Sequence, residues 1–234
     1  YMSILIETLK GKKTKTPIWL MRQAGRHLPE YIKIRQKYKD LMEMFLDPEV
    51  VTKISLQPVK RYGLDACIVF SDILMIPYAS GCDVSFKEGV GPQVKFNEKF
   101  NFASHKLDPV IKGIESIKNE SEVPLIGFVG GPWTTLLYCL FDKEERSQMN
   151  KSLINKNEKR INNHIEDLTD IISNYAVQQV SAGIDVFQIF ESAAEDLEDE
   201  YFDRWCLKPT QKIIHSIKSK TDIPIIGFPR KTSK

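Results

Sequence analysis

The chain has almost no net charge: 33 Lys and Arg stand against 31 Asp and Glu, a formal +2. That balance removes the electrostatic footprint of a nucleic-acid binder or of a protein held on an anionic membrane surface. Any anion recognition must come from where individual arginines sit. Cysteine is scarce, and Cys67, Cys82, Cys139 and Cys206 contain no C-x-x-C pair. This excludes a disulfide scaffold and a zinc knuckle, and fits reduced thiols in a cytoplasmic protein. The four histidines, His27, His105, His164 and His215, form no H-x-x-x-H or Cys/His grouping, so no metal is expected. The usual nucleotide-binding glycine motifs are missing. No apolar run reaches the roughly 18 residues of a membrane helix. The start, YMSILIETLKGKK, lacks a signal-peptide layout, and Tyr1 ahead of Met2 suggests a natural start at Met2.

What remains is ordinary globular composition: 234 residues, 42% hydrophobic and 27% charged, enough for one sizeable core in a single domain over residues 1–234. Five apolar runs of strand length, 17–21, 65–70, 124–129, 185–190 and 224–229, lack hydrophobic alternation, the mark of a strand buried on both faces. Helical patterns separate them. A short helix is expected over 3–10. Pro29 opens another, with Tyr31, Ile34 and Tyr38 at helical spacing. Asp47-Pro48-Glu49 starts a third that Pro58 should kink or end before Gly63. Asp108-Pro109 and Trp133 open two more. A long polar helix carries the stripe Ile161, Ile165, Leu168, Ile172 and Tyr175 up to Gly183, and the lysine-rich run 151–160 reads as its solvated face. Leu197, Tyr201 and Trp205 mark a helix ending before Pro209, and Ile213, Ile214 and Ile217 the next. Between the second and third runs, residues 82–98 alternate around a Gly/Pro turn, predicting an inserted β-hairpin. Strands alternating with helices predict an α/β protein with a parallel sheet, either a (β/α) barrel or a doubly wound sheet.

In either architecture chemistry gathers at the carboxyl ends of the strands. Arg22 and Arg26 follow the first run, flanking Gln23, Ala24 and Gly25. Ser71-Asp72 follow the second, Gly130-Gly131-Pro132 and then Tyr138 the third, Glu191-Ser192 the fourth and Arg230 the fifth. Guanidinium groups bind carboxylate or phosphate bidentately and stay charged at physiological pH, so the rim reads as a pocket for a polyanionic small molecule. Each residue also has a plainer reading. The arginines could be surface decoration, Asp72 and Ser192 helix caps, Tyr138 a packing residue, and Gly130-Gly131 a tight turn.

MRQAGRHLPEY, FSDIL, GPWTTLLY and the ES after VFQIF, in this order, resemble the uroporphyrinogen decarboxylase family, over about residues 16 to 230. The resemblance implies a cofactor-free (β/α)8 TIM barrel, a cytoplasmic homodimer of porphyrin and haem biosynthesis. It implies removal of CO2 from the four acetate side chains of uroporphyrinogen III to give coproporphyrinogen III. By the same resemblance Arg22 and Arg26 bind substrate carboxylates, and Gln23, Ala24 and Gly25 contribute loop contacts. Arg35 is a further substrate-contacting arginine, Asp72 faces the pyrrole N–H groups, and Tyr138 and Ser192 contact carboxylates. The chemistry is self-consistent, because a protonated pyrrole ring takes up the electrons of the broken C–C bond and a central carboxylate stabilises the resulting cation. Arginine is a poor proton donor by its reference pKa, so a water relay competes for that role.

Two departures stand out. Ala193-Ala194-Glu195 replaces an aromatic or His followed by Ala-Gly, bringing an acid to the rim of an anion pocket. After Arg230 the chain has only Lys231 to Lys234, so it is expected to supply about five of eight βα units and to be a truncated, incomplete barrel. Two other functions fit the same residues: a cobalamin-linked methyltransferase of this barrel superfamily, whose zinc-thiolate cluster has no counterpart here, and an inactive fragment.

Overall fold

The computed structural model describes residues 3–13, 15–87 and 91–232. Expectations about Tyr1 and Met2, the middle of the hairpin turn at 88–90, and the last two residues lie outside these. The strands are β1 (Cys67–Ile68), β2 (Asp83–Lys87), β3 (Gly91–Lys95), β4 (Leu125–Gly130), β5 (Val186–Glu191) and β6 (Ile225–Pro229). Among the described residues β1-β4-β5-β6 form a parallel sheet in that order, and β2-β3 an antiparallel hairpin. Ile126 lies opposite Val186, and Phe187 opposite Ile225. Beyond the two residues of β1, Val69 N–H donates to Ile126 O, so the backbone stays paired almost to the site.

The helices are α1 (Ile4–Leu9), α2 (Pro29–Arg35), α3 (Leu41–Phe45), α4 (Pro48–Tyr62), α5 (Met75–Ala79) and α6 (Asp108–Glu120). After β4 come α7 (Pro132–Leu140), α8 (Lys143–Ser147), α9 (Lys151–Ser181), α10 (Asp199–Phe202) and α11 (Lys208–Lys218). No described helix is long and apolar enough to cross a membrane. β4 and β5 are buried on both faces, as their unbroken apolar runs predict. One face, with Phe187 and Ile189, packs on the helices in the main core. The other carries Ile68, Ile126 and Val186, with Phe128, Phe190, Ile226 and Trp19 packed against them. The architecture is an incomplete (β/α) barrel: a twisted parallel sheet with a helical outer layer, and among the described residues no closed ring of strands.

Four expectations are corrected. Residues 17–21 form no strand: 17–20 have no regular structure and Met21 begins a turn, and Ile18, Leu20 and Met21 are exposed. This segment lies beside β1 at the sheet edge. Its contact is local: Asp65 N–H donates to Ile18 O (2.9 Å), and Ile18 N–H to Asp65 Oδ2 (2.7 Å). A side-chain oxygen there replaces a ladder partner. Pro58 neither ends nor interrupts α4, which runs on to Tyr62; favourable burial of its apolar ring offsets the missing N–H. Tyr38 lies beyond the end of α2, its hydroxyl donating to Asp47 Oδ2 at 2.6 Å. Pro209 sits inside α11 instead of following a helix end. The preceding turn, Asp203–Leu207, is a π-helix, and that wider turn relieves the clash a proline ring makes with the carbonyl four residues back.

Candidate active site

Ser55 Oγ accepts the Phe70 N–H at 2.8 Å and steers the chain as it leaves β1. Asp72 comes two residues later. Its Oδ1 accepts the Leu74 N–H at 2.9 Å, so the carboxylate does organise the turn before α5. It is more than a turn former, because burial drives its pKa up to about 6 while the nearby Arg22 charge pulls it down. Arg22 thus lies within electrostatic reach of Asp72.

The arginine loop is held from within. Gln23 is buried, and its Oε1 accepts the Leu20 N–H at 3.0 Å. Gly25 O accepts the Leu28 N–H at 3.0 Å, closing the turn into α2. Ala24 packs beside Leu28 and Tyr31. Arg26 and Arg35 both act on buried Tyr31, opposing the rise in its pKa that burial causes. Arg35 Nη1 donates to Tyr38 O at 2.5 Å, which engages one of the five N–H donors of its guanidinium.

At β4 the two glycines are required by close approach. A Cβ on Gly130 would lie 2.5 Å from Thr135 Oγ1 and 3.0 Å from Ile73 Cβ, so this residue lets the Asp72 turn pack against the sheet. A Cβ on Gly131 would lie 2.1 Å from Glu191 Oε2. The sequence pattern put the glycines and Glu191 at two neighbouring strand ends but gave Glu191 no role; the structure sets its carboxylate against Gly131. Glu191 is buried, and its Oε1 accepts the Thr134 N–H at 2.6 Å in the first turn of α7. The acceptor at this helix N-terminus is the protein's own carboxyl group. Oε2 has no hydrogen-bond partner among the described residues. Desolvation raises the pKa of Glu191 to about 7, against the Thr134 and Trp133 hydrogen bonds that lower it. The signal for such a residue was an acid as the last residue of a buried strand, which periodicity alone does not distinguish from a rim acid.

Ser192 is pinned by its neighbours. Ala193 N–H donates to Thr134 Oγ1 (3.1 Å), and Trp133 Nε1 donates to Ala193 O (3.1 Å). Glu195 forms an ion pair with Lys231 (2.7 Å), so its charge is compensated. Arg230 N–H donates to Glu191 O at 3.2 Å, tying the end of β6 to the same point. Tyr138 is half-buried, with the Arg146 guanidinium 4.3 Å from its ring centre. Among the described residues no group of three His, Cys, Asp or Glu side chains is arranged to hold a metal ion.

The titration of Glu191 makes a stability prediction. Its native pKa, about 7, lies above the ordinary 4.5. The folded state therefore keeps a proton that the unfolded chain gives up, and this contribution is complete below pH 4.5 and lost as pH rises to 7. Glu191→Gln keeps the acceptor for Thr134 and removes the titration. The variant should match the parent near pH 4.5 and exceed it at pH 8 by roughly 3 kcal/mol. Urea unfolding at both pH values checks this; parallel pH profiles for the two proteins would contradict it.

The fold and site define an α/β enzyme of the barrel type, with arginines and a desolvated carboxylate at the carboxyl rim of a parallel sheet. The model of uroporphyrinogen decarboxylase (URO-D) matches residues 2–234. The chain belongs to the uroporphyrinogen decarboxylase family. It is 40% identical to the uroporphyrinogen decarboxylase of Rickettsia rickettsii (strain Sheila Smith), over 98% of this chain and 69% of that protein. It is 37% identical to that of Chelativorans sp. (strain BNC1), over 97% of this chain and 70% of that protein. Among solved structures, a methyltransferase from Methanosarcina mazei superposes with a TM-score of 0.72 at 20% identity, over 95% of this chain and 67% of that one. A B12-independent methionine synthase from Shewanella sp. W3-18-1 gives 0.52 at 13% identity, over 77% and 50%. These two likenesses concern the fold.

Proposed function

We propose that the chain decarboxylates the acetate side chains of uroporphyrinogen, with Asp72 as the group that stabilises the cationic intermediate. The observation that carries this reading is a desolvated carboxylate with a pKa of about 6, within reach of Arg22, beside the end of β1. At neutral pH Asp72 is ionised. It faces the substrate's pyrrole N–H groups and becomes a strong partner when the ring acquires positive charge. A proton adds to the pyrrole ring, the bond between the acetate methylene and its carboxylate breaks, and its electron pair flows into the ring. CO2 leaves, the methylene carbon takes a proton to give a methyl group, and the ring gives up the proton it first took, so that one proton is consumed for each CO2 released. Arg22, Arg26 and Arg35 hold carboxylates around the macrocycle, the loop Gln23-Ala24-Gly25 sets the spacing of the first two, and Tyr138 and Ser192 contact further carboxylates. This electron path needs no cofactor.

The test is incubation of the purified chain with uroporphyrinogen in the absence of oxygen, followed by chromatography of the porphyrins after oxidation. Products with seven, six, five and four carboxylates are expected, with matching CO2. No product together with no affinity for the octacarboxylate would sink the reading. Within it, Arg26→Lys should weaken binding about tenfold, because a point ammonium replaces a fork that grips both carboxylate oxygens. Titration with uroporphyrin at physiological salt measures this, and an unchanged dissociation constant would remove Arg26 from the site.

A further inference from the structure

The eight arginines divide by what neutralises them. Three that lie on the helical layer are in ion pairs: Arg61 with Glu30, Arg160 with Glu98, and Arg204 with Glu158 and Glu200. Arg146 has no such partner among the described residues, although acids surround it in sequence. The reason is local. Asp142 and Glu145 form a capping box at the start of α8: Asp142 Oδ1 accepts the Glu145 N–H at 2.9 Å, and Glu145 Oε2 accepts the Asp142 N–H at 3.0 Å. Both carboxylates are spent on the backbone.

The same box turns the chain back on itself, so that Arg146 reaches Tyr138 eight residues earlier. The guanidinium lies over the ring at 4.3 Å, and Nη1 donates to Phe141 O at 2.6 Å, just past the last turn of α7. Stacking and one hydrogen bond fix the plane of the group and leave its other N–H donors uncommitted. Half-burial without a direct ion pair among the described residues makes the charge expensive, and its pKa is pressed down by desolvation, which the more distant Asp142 charge only partly opposes.

The position is at the substrate side. α7 projects past the end of β4 and does not fold back along it. Arg160 of α9 donates to Leu140 O, whereas Gln179 of the same helix donates to Phe128 O in β4. Nineteen helical residues separate those contacts, about 28 Å at the usual rise. The end of α7, with Tyr138 and Arg146, therefore stands on the side toward which the carboxyl ends of the strands point, far along α9 from the level of Phe128.

We propose that Arg146 is a carboxylate-binding residue for the octacarboxylate substrate, gripping a side chain next to Tyr138. The inference deepens the decarboxylase reading and rests on it. Neither the QAGR loop nor the strand-end pattern points to Arg146. It also accounts for a half-buried cation with no direct ion pair among the described residues, since the substrate supplies a carboxylate in contact with it.

The test is fluorescence titration of the chain with uroporphyrin at low salt and at 1 M salt. Arg146→Gln should raise the dissociation constant about tenfold at low salt, and the two proteins should converge at 1 M, where charge attraction is screened within about 3 Å. Arg146→Lys should recover part of the loss, and thermal melting of each variant reports on folding. A purely structural role would leave the loss independent of salt and unrelieved by lysine. Either that result, or equal binding by Arg146→Gln and the parent, overturns the proposal while the parent's own binding keeps the decarboxylase reading intact. No binding by the parent overturns both.

Discussion

Asp72→Asn is expected to lower kcat by about 10²–10³, the usual cost of removing one preorganised group aimed at developing charge. The substitution is nearly isosteric, and its carbonyl oxygen can keep the bond from Leu74 N–H that forms the turn before α5. Folding should survive, so the loss is chemical. The parent should also show an acid limb in kcat/KM with an apparent pKa near 6, because the carboxylate must be ionised and burial has raised it to about that value. As pH falls through 6 the carboxylate is protonated, its charge vanishes, and the cationic ring loses its partner. Stopped anaerobic assays from pH 5 to 8 on parent and variant provide the check. Near-normal turnover by a folded Asp72→Asn protein would take this residue out of the mechanism and leave it as a turn former.

Trp205→Ala is the largest expected loss of stability, 3–5 kcal/mol by the range for truncating a buried tryptophan. Trp205 is fully buried between two rings: Trp133 at 5.4 Å and 17°, and Tyr201 at 4.4 Å and 6°. Its Nε1 donates to Asn162 Oδ1 of α9 at 2.8 Å. Truncation opens a large cavity and removes that hydrogen bond, though Asn162 is exposed and its amide oxygen can turn to water. The damage should spread toward the site, because Trp133 starts α7 and also holds Ala193, next to Ser192. Urea unfolding monitored by circular dichroism measures the loss, and Trp205→Phe should recover much of it. A change below about 1 kcal/mol would mean that neither the burial of this ring nor its stacking contributes appreciably to stability.

These two positions differ in how far they can be read from the chain. Asp72 is visible because it directly follows an apolar run and a strand's carboxyl end is where α/β proteins place chemistry. Trp205 is visible only as one member of a helical stripe with Leu197 and Tyr201. Its partner Trp133 lies seventy-two residues away, and the π-turn that presents it forms where Pro209 disturbs the helix. The plainer readings of several site residues are true as well as the functional ones. Asp72 organises a turn, and Gly130-Gly131 is a tight strand-to-helix connection.

By itself the sequence determined the parallel α/β character, three of the four sheet strands to within a residue, the hairpin, and the order of rim residues. These follow from local patterning: unbroken apolar runs, helical stripes, and proline and acidic start signals act over a few residues. Only the tertiary structure decided that residues 17–21 stay an exposed edge segment. It alone decided that Glu195 is neutralised by Lys231, that Glu191 is clamped against Gly131, and that Arg146 stacks on Tyr138 with no direct ion pair among the described residues. Burial and charge pairing depend on which distant segments meet, and these contacts between separate strand ends and loops have no period along the chain.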